Sequence, residues 1–231
     1  LITVVNHSKR VSNADVQLMT RACASQLWWH AAPAHGLAPR PVVYAADEHS
    51  APPGSQVIGI FDTSDQPGVL GWHTEDPNTG VVYGRVFAGV ILDNGGGSLS
   101  GQYSVSATLS HEVLETFGDA ACNRWVDVDG AWAVALELGD PVENDSYSIL
   151  VDGKPVAVSN FVTSAWFDPA AKRDFDYLNR CKAPFTMTSG GYMLKMVEGR
   201  VSQVFGEQYP AWRRDVKKSP LARTARRLAT A

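Results

Sequence analysis

Apolar residues recur along this chain at two spacings, and the changes between them divide it into elements. Residues 1–6 are apolar and β-branched and predict a strand. Asn13 then suits the cap of a helix over residues 14–32, with Val16, Met19, Ala22, Leu27 and Trp28 as its apolar stripe and Pro33 and Gly36 as its end. Residues 40–46, 55–61 and 69–73 read as further strands, the last two separated by the turn-forming Asp65-Gln66-Pro67-Gly68. A long strand is predicted over residues 81–93, followed by the loop Asn94-Gly95-Gly96-Gly97-Ser98. Val105, Leu109, Val113 and Phe117 next fall at a four-residue spacing, the stripe of a helix anchored to a core, with Ser104 or Ser106 as its start and Gly118 as its stop. Two Asp-Gly turns, at Asp129-Gly130 and Asp152-Gly153, sit inside alternating segments and predict two hairpins. The remainder, through Phe161, Trp166, Phe167, Phe185 and Tyr192, reads as loop-rich and aromatic. The order predicts an α+β fold: a mixed sheet, one long helix before it, and the helix near residue 110 packed across it.

That second helix carries the candidate chemistry. Ser110-His111-Glu112-Val113-Leu114-Glu115 contains H-E-x-x-E, and positions i and i+4 place His111 and Glu115 on one face, one turn apart. A divalent ion takes two ligands from such a pair without backbone strain, and Glu112 beside the first ligand is placed to accept a proton from water. A solvated helix face bearing three polar residues is the bland alternative.

The segment resembles the H-E-x-x-H helix of zincin metallopeptidases, with Glu115 standing where the second His is expected. The resemblance implies a zincin-like mixed sheet and a metal-dependent peptidase or amide hydrolase. It also implies that residues 81–93 border the cleft. A third ligand must come from elsewhere. Glu137 lies 22 residues after Glu115 and Asp140 lies 25 after it. By the same resemblance Glu137 ligates, while Asp140 orients His111 or replaces Glu137. Asp119 is a further candidate for orienting a ligand, and Tyr192 for donating to an oxyanion. The expected cofactor is a divalent ion, zinc first, with manganese or calcium as alternatives, because added carboxylates shift preference toward harder ions. The chain is also similar, over about residues 100–200, to a group of bacterial and tailed-phage proteins. Ser110–Asp119 matches its S-H-E-x-x-E-x-x-x-D helix, Glu137-Leu138-Gly139-Asp140-Pro141 its E-x-x-D-P segment. Val158-Ser159-Asn160-Phe161-Val162-Thr163 and Gly190-Gly191-Tyr192 follow as in that group. Asp119 is followed by Ala120 rather than the group's Pro. This second resemblance implies a different class of function: a catalytically inactive structural or assembly protein, such as a virion component.

Composition narrows the remaining choices. The 231 residues are 45% hydrophobic and 19% charged, which suits one globular domain over residues 1–212, with a subdivision near residue 120 as the alternative. Beyond Trp212, Arg213, Arg214, Lys217, Lys218, Arg223, Arg226 and Arg227 face only Asp215. Removing that tail of net +6 from a chain of net −4 leaves a body of −10. Residues 213–231 therefore read as a solvated end or as an arm docking on an acidic partner such as a second copy, with nucleic acid disfavoured by the acidic body. Cys23, Cys122 and Cys181 are far apart and form no C-x-x-C, so neither a cysteine zinc site nor a disulfide framework is indicated. No signal peptide is visible, and the longest apolar run, residues 86–92, is too short for a bilayer, so a soluble protein is expected. Asp127-Val128-Asp129-Gly130 lacks the later Glu of a calcium loop, and no nucleotide-binding glycine motif is present. His73 is placed to approach a site from a strand end, although a structural hydrogen bond is the commoner role for a lone His.

Overall fold

The computed structural model describes residues 1–66, 69–101 and 103–207. The chain opens with β1 (Ile2–Asn6), α1 (Asn13–Gln26) and β2 (Val42–Ala45), a β-α-β unit with β1 and β2 parallel. Ser12 rather than Asn13 caps α1, accepting from the Asp15 amide, and the register of the buried face follows from that start. Past Gln26 the helix widens into a π-helical turn over Leu27–Ala31 and resumes as α2 (Ala32–His35), which Gly36 ends in the left-handed conformation. Pro33 follows directly on the π-helical turn and does not stop the helix, which runs on to His35. The π turn changes the phase of the stripe: Leu27 is buried and Trp28 is 52% exposed, against the expectation that both face the core.

β3 (Gln56–Phe61), β4 (Gly71–Glu75) and β5 (Val82–Phe87) complete a five-stranded sheet in the order β2-β1-β3-β5-β4. β1, β2, β3 and β5 run parallel, and β4 pairs antiparallel with β5 at the edge. The sheet is therefore mixed, as expected. The strand predicted over residues 81–93 is shorter: it ends at Phe87, and α3 (Ala88–Asp93) follows. Gly89 is the reason, because a Cβ there would lie 1.9 Å from the Asp62 carbonyl oxygen. A close backbone approach of that kind admits only glycine, and it ends the strand.

The helix α4 (Val105–Asp119) matches its predicted span, with Ser104 as N-cap accepting from the Ala107 amide. Gly118 lies inside it rather than ending it, and Ala120 is the C-cap. Gly118 is small for a different reason: a Cβ there would lie 2.9 Å from Leu138 Cγ. α4 packs on β3, β4 and β5, on α1, and on the hairpin of β8 (Ser146–Val151) and β9 (Lys154–Ser159). A buried hydrogen-bond network locks that arrangement. Ser110 Oγ donates to Gln26 Oε1 at 2.6 Å and accepts from the Ser159 amide at 2.9 Å, while Gln26 Nε2 donates to the Ser159 carbonyl at 2.7 Å. Covered by sheet, helix and hairpin, α4 buries its polar positions as well as its apolar stripe. The solvated-face alternative is thereby overturned.

Before that hairpin, β6 (Trp125–Asp127) and β7 (Trp132–Ala135) form the first predicted hairpin. They belong to a four-stranded antiparallel sheet with β10 (Tyr192–Val197) and β11 (Arg200–Phe205). The reading of everything after the second hairpin as loop-rich missed β10 and β11. Their signal was an alternating pattern around Glu198-Gly199, both at positive φ as the two central residues of a tight hairpin turn require. The basic segment 213–231 lies outside the described residues. Among those described, no helix is long and apolar enough to cross a membrane.

Candidate metal centre

The helical spacing puts His111 and Glu115 together as expected, with His111 Nε2 2.9 Å from Glu115 Oε1. The third group arrives from the segment after β7. Leu138 packs against Gly118 at the end of α4, and the Leu138 carbonyl accepts from the Val162 amide at 2.8 Å. This brings the 3-10 turn Asp140–Val142 against the helix, with Asp140 Oδ1 3.3 Å from His111 Nε2. His111, Glu115 and Asp140 thus bring one ligand atom each to within 4.8 Å of one another. Glu137 is 2% exposed but belongs to neither of the ligand clusters found among the described residues. Asp140 thus reaches the helical pair through His111.

The ring of His111 is held from its other side by bare backbone. A Cβ on Gly139 would lie 2.4 Å from His111 Nδ1 and 2.7 Å from Cε1. Gly139→Ala is therefore expected to push the imidazole off its present line and to weaken divalent-ion binding by about 10–100-fold, the usual cost of disturbing a ligand's support. Calorimetric titration of the variant with Zn²⁺ checks this, and an unchanged affinity would show that the loop yields instead.

A second cluster adjoins the first. His73 lies on the edge strand β4, fully buried, with Nδ1 3.3 Å from Glu112 Oε2 and 3.4 Å from Glu115 Oε2. Its Nε2 is 3.0 Å from the Asp119 carbonyl oxygen and 3.0 Å from Cys122 Sγ. Side chains alternate along a strand, so Gly71 and His73 face α4 together. A Cβ on Gly71 would lie 2.8 Å from Glu112 Oε1, so glycine there makes the room that Glu112 fills. In the sequence, the signal for His73 was its place at the end of the strand predicted over residues 69–73.

Asp119 and Tyr192 are each placed by contacts of their own. The Asp119 carboxylate accepts from the amides of Asn123 and Arg124 and holds the turn after α4, while its carbonyl meets His73. Tyr192 starts β10 with its ring against Phe205. Its neighbour Gly191 lies against the backbone of Asp140 and Pro141, so this strand end borders the segment that carries Asp140. None of the three cysteines is in a disulfide.

Electrostatics follows from burial. Desolvation pulls both imidazoles toward the neutral form, but the groups facing them outweigh it. The electrostatic interaction with Cys122 leads at His73, followed by hydrogen bonds with Cys122 and to the Glu112 and Glu115 carboxylates, and Glu115 leads at His111, followed by Asp140. Both rings are held well above the ordinary 6.5. A raised folded-state pKa contributes stability that is complete below 6.5 and is lost as pH climbs through the raised values. Chelator-treated protein is thus expected to lose this contribution progressively above that pH. Bound metal acts in the opposite sense, because its ligands must first shed their protons. Thermal melts from neutral to alkaline pH, with and without chelator, should therefore diverge as pH rises, and parallel curves would contradict the assignment.

Comparison with protein-family models, with curated proteins and with solved structures returned no match.

Proposed function

We propose that this protein is a zincin-like, metal-dependent hydrolase of peptide or amide bonds. The observation that carries the reading is the buried convergence of His111, Glu115 and Asp140 on one point, two from a helix and one from the turn docked beside it. One imidazole and two carboxylates are a ligand set suited to zinc or manganese. A divalent ion held there would supply a Lewis acid for a carbonyl and for water. Glu112, adjacent to the first ligand and turned toward β4, is the proton-accepting group, and His73 at 3.3 Å holds its Oε2 in place. The Gly139 backbone fixes the orientation of the His111 ring. The edge position of β4, beside the helix, supports the likeness to zincins in which an extended substrate lies along an edge strand.

A second reading has its own support. His111 is only 7% exposed and the other ligands less, and burial of that degree suits a structural cation in a catalytically inactive assembly protein. One experiment separates the two. Protein purified without chelator is analysed for metals and assayed on a peptide library beside Glu112→Gln. At least one equivalent of metal with hydrolysis lost in the variant supports the hydrolase. Metal without hydrolysis in the parent leaves the structural reading, and failure to hold any divalent ion, even after loading, sinks both.

A further inference from the structure

Glu115 has two carboxylate oxygens, and they face different clusters. Oε1 lies 2.9 Å from His111, on the side of Asp140, while Oε2 lies 3.4 Å from His73, on the side of Glu112. His73, Glu112 and Glu115 themselves bring one ligand atom each to within 4.8 Å of one another, all buried. We infer that His73, Glu112 and Glu115 form a second divalent-cation position and that Glu115 bridges it to the first, making the centre dinuclear. The inference rests on the metal-binding part of the reading above and not on hydrolysis.

The hydrogen bonds of His73 are the independent support. A carbonyl oxygen can only accept, so Nε2 at 3.0 Å from the Asp119 carbonyl carries the proton. This is the arrangement in which a histidine turns its other nitrogen to a metal, its outward N–H donated to a backbone carbonyl that fixes tautomer and ring orientation. Nδ1 then points between two carboxylates. Its distances to them, 3.3 and 3.4 Å, exceed the roughly 2.7–2.9 Å of charge-assisted N–H···O bonds. Once Nδ1 sheds its proton, it and the two carboxylate oxygens offer three donor atoms at the spacing a single ion uses. The protein also invests in the position: Gly71 is bare where Glu112 must lie, and β4 delivers His73 from the sheet edge to a helix otherwise carrying only one side of the site.

The chemistry of the donors selects the ion. One imidazole with carboxylates on each side, and a carboxylate between, suits first-row divalent ions that accept both nitrogen and oxygen, manganese and zinc among them. Two-metal centres hold their ions about 3.5–4 Å apart, and a single bridging carboxylate spans such a pair with its two oxygens. Glu112 would meet the second ion through Oε2, the oxygen that faces His73.

The test uses the full chain, stripped by chelator, dialysed against Mn²⁺ and, separately, Zn²⁺, with bound metal counted against protein and the manganese form examined by electron paramagnetic resonance. Two equivalents per chain and an exchange-coupled manganese signal are expected. His73→Leu should drop the count to one and restore the signal of an isolated ion, and Glu112→Gln, nearly isosteric and so a control against misfolding, should do the same. One equivalent in the parent overturns the second position while leaving the first intact. Two uncoupled ions, or two equivalents retained in both variants, overturn the bridged centre. No bound ion at all overturns this inference and the proposed function together.

Discussion

Replacing Glu115 by glutamine is expected to weaken divalent-ion binding by more than about 100-fold, since disturbing even a ligand's support costs 10–100-fold. No other side chain belongs to both clusters, and its two oxygens face the two imidazoles at 2.9 and 3.4 Å. The same substitution should destabilise the metal-free protein. There the buried rings of His73 and His111 are held in the charged form by facing acidic groups, and Glu115 faces both. Removing one partner of a buried charge pair costs about 3–5 kcal/mol, because the charge left behind has already surrendered its water. Urea unfolding in chelator reads the second effect and calorimetric titration the first. The two effects should also separate by pH: the stability loss is largest at or below neutral pH, where both rings are charged, and shrinks as they lose their protons. Ion binding within a few-fold of the parent would remove Glu115 from the centre.

Glu112→Gln should lower hydrolysis by about 10²–10⁴-fold, the usual contribution of a positioned proton acceptor, while the fold and the ion at His111, Glu115 and Asp140 persist. Glutamine keeps the shape that fills the space over Gly71, so the variant isolates the loss of charge from the loss of packing. Glu112 is 1% exposed, and its carboxylate lies on the β4 side of the helix, against His73. His73→Leu should therefore also reduce turnover, by releasing that carboxylate, and the deficit of the double variant should be no larger than that of Glu112→Gln alone. Additive losses would indicate that the two side chains act separately. Steady-state rates on a substrate found by library screening, compared across the three variants, decide the matter, and turnover at the parent rate in Glu112→Gln would move the proton-accepting role elsewhere.

Much of this was legible before folding because it is local. The spacing of His111 and Glu115 needs only the helical repeat, and the four-residue stripe that predicts the helix is the one buried in the core. The strands β1, β2 and β3 follow short β-branched runs, and the first two hairpins follow their Asp-Gly turns. Local rules failed where a distant segment set the outcome. The run beyond Phe87 is as apolar as a strand, but Gly89 must accommodate the Asp62 carbonyl, and the chain coils into α3. Ser12 took the cap expected of Asn13, a one-residue shift that side-chain preference does not resolve.

The same boundary runs through the site. Sequence by itself determined that one helix presents an imidazole and a carboxylate at metal-ligand spacing with a second carboxylate beside them, since that spacing is a property of the backbone. Tertiary structure alone decided that these groups are buried, because enclosure of α4 depends on the sheet on one side and the β8–β9 hairpin on another. It brought Asp140 to His111, because Leu138 docks on Gly118 and returns the chain to the end of α4. And it brought in His73, 38 residues before His111, because β4 occupies the edge of the sheet beneath α4 and a strand shows alternate side chains to each face. Contacts closed over such separations depend on where whole elements pack, and no local spacing encodes that.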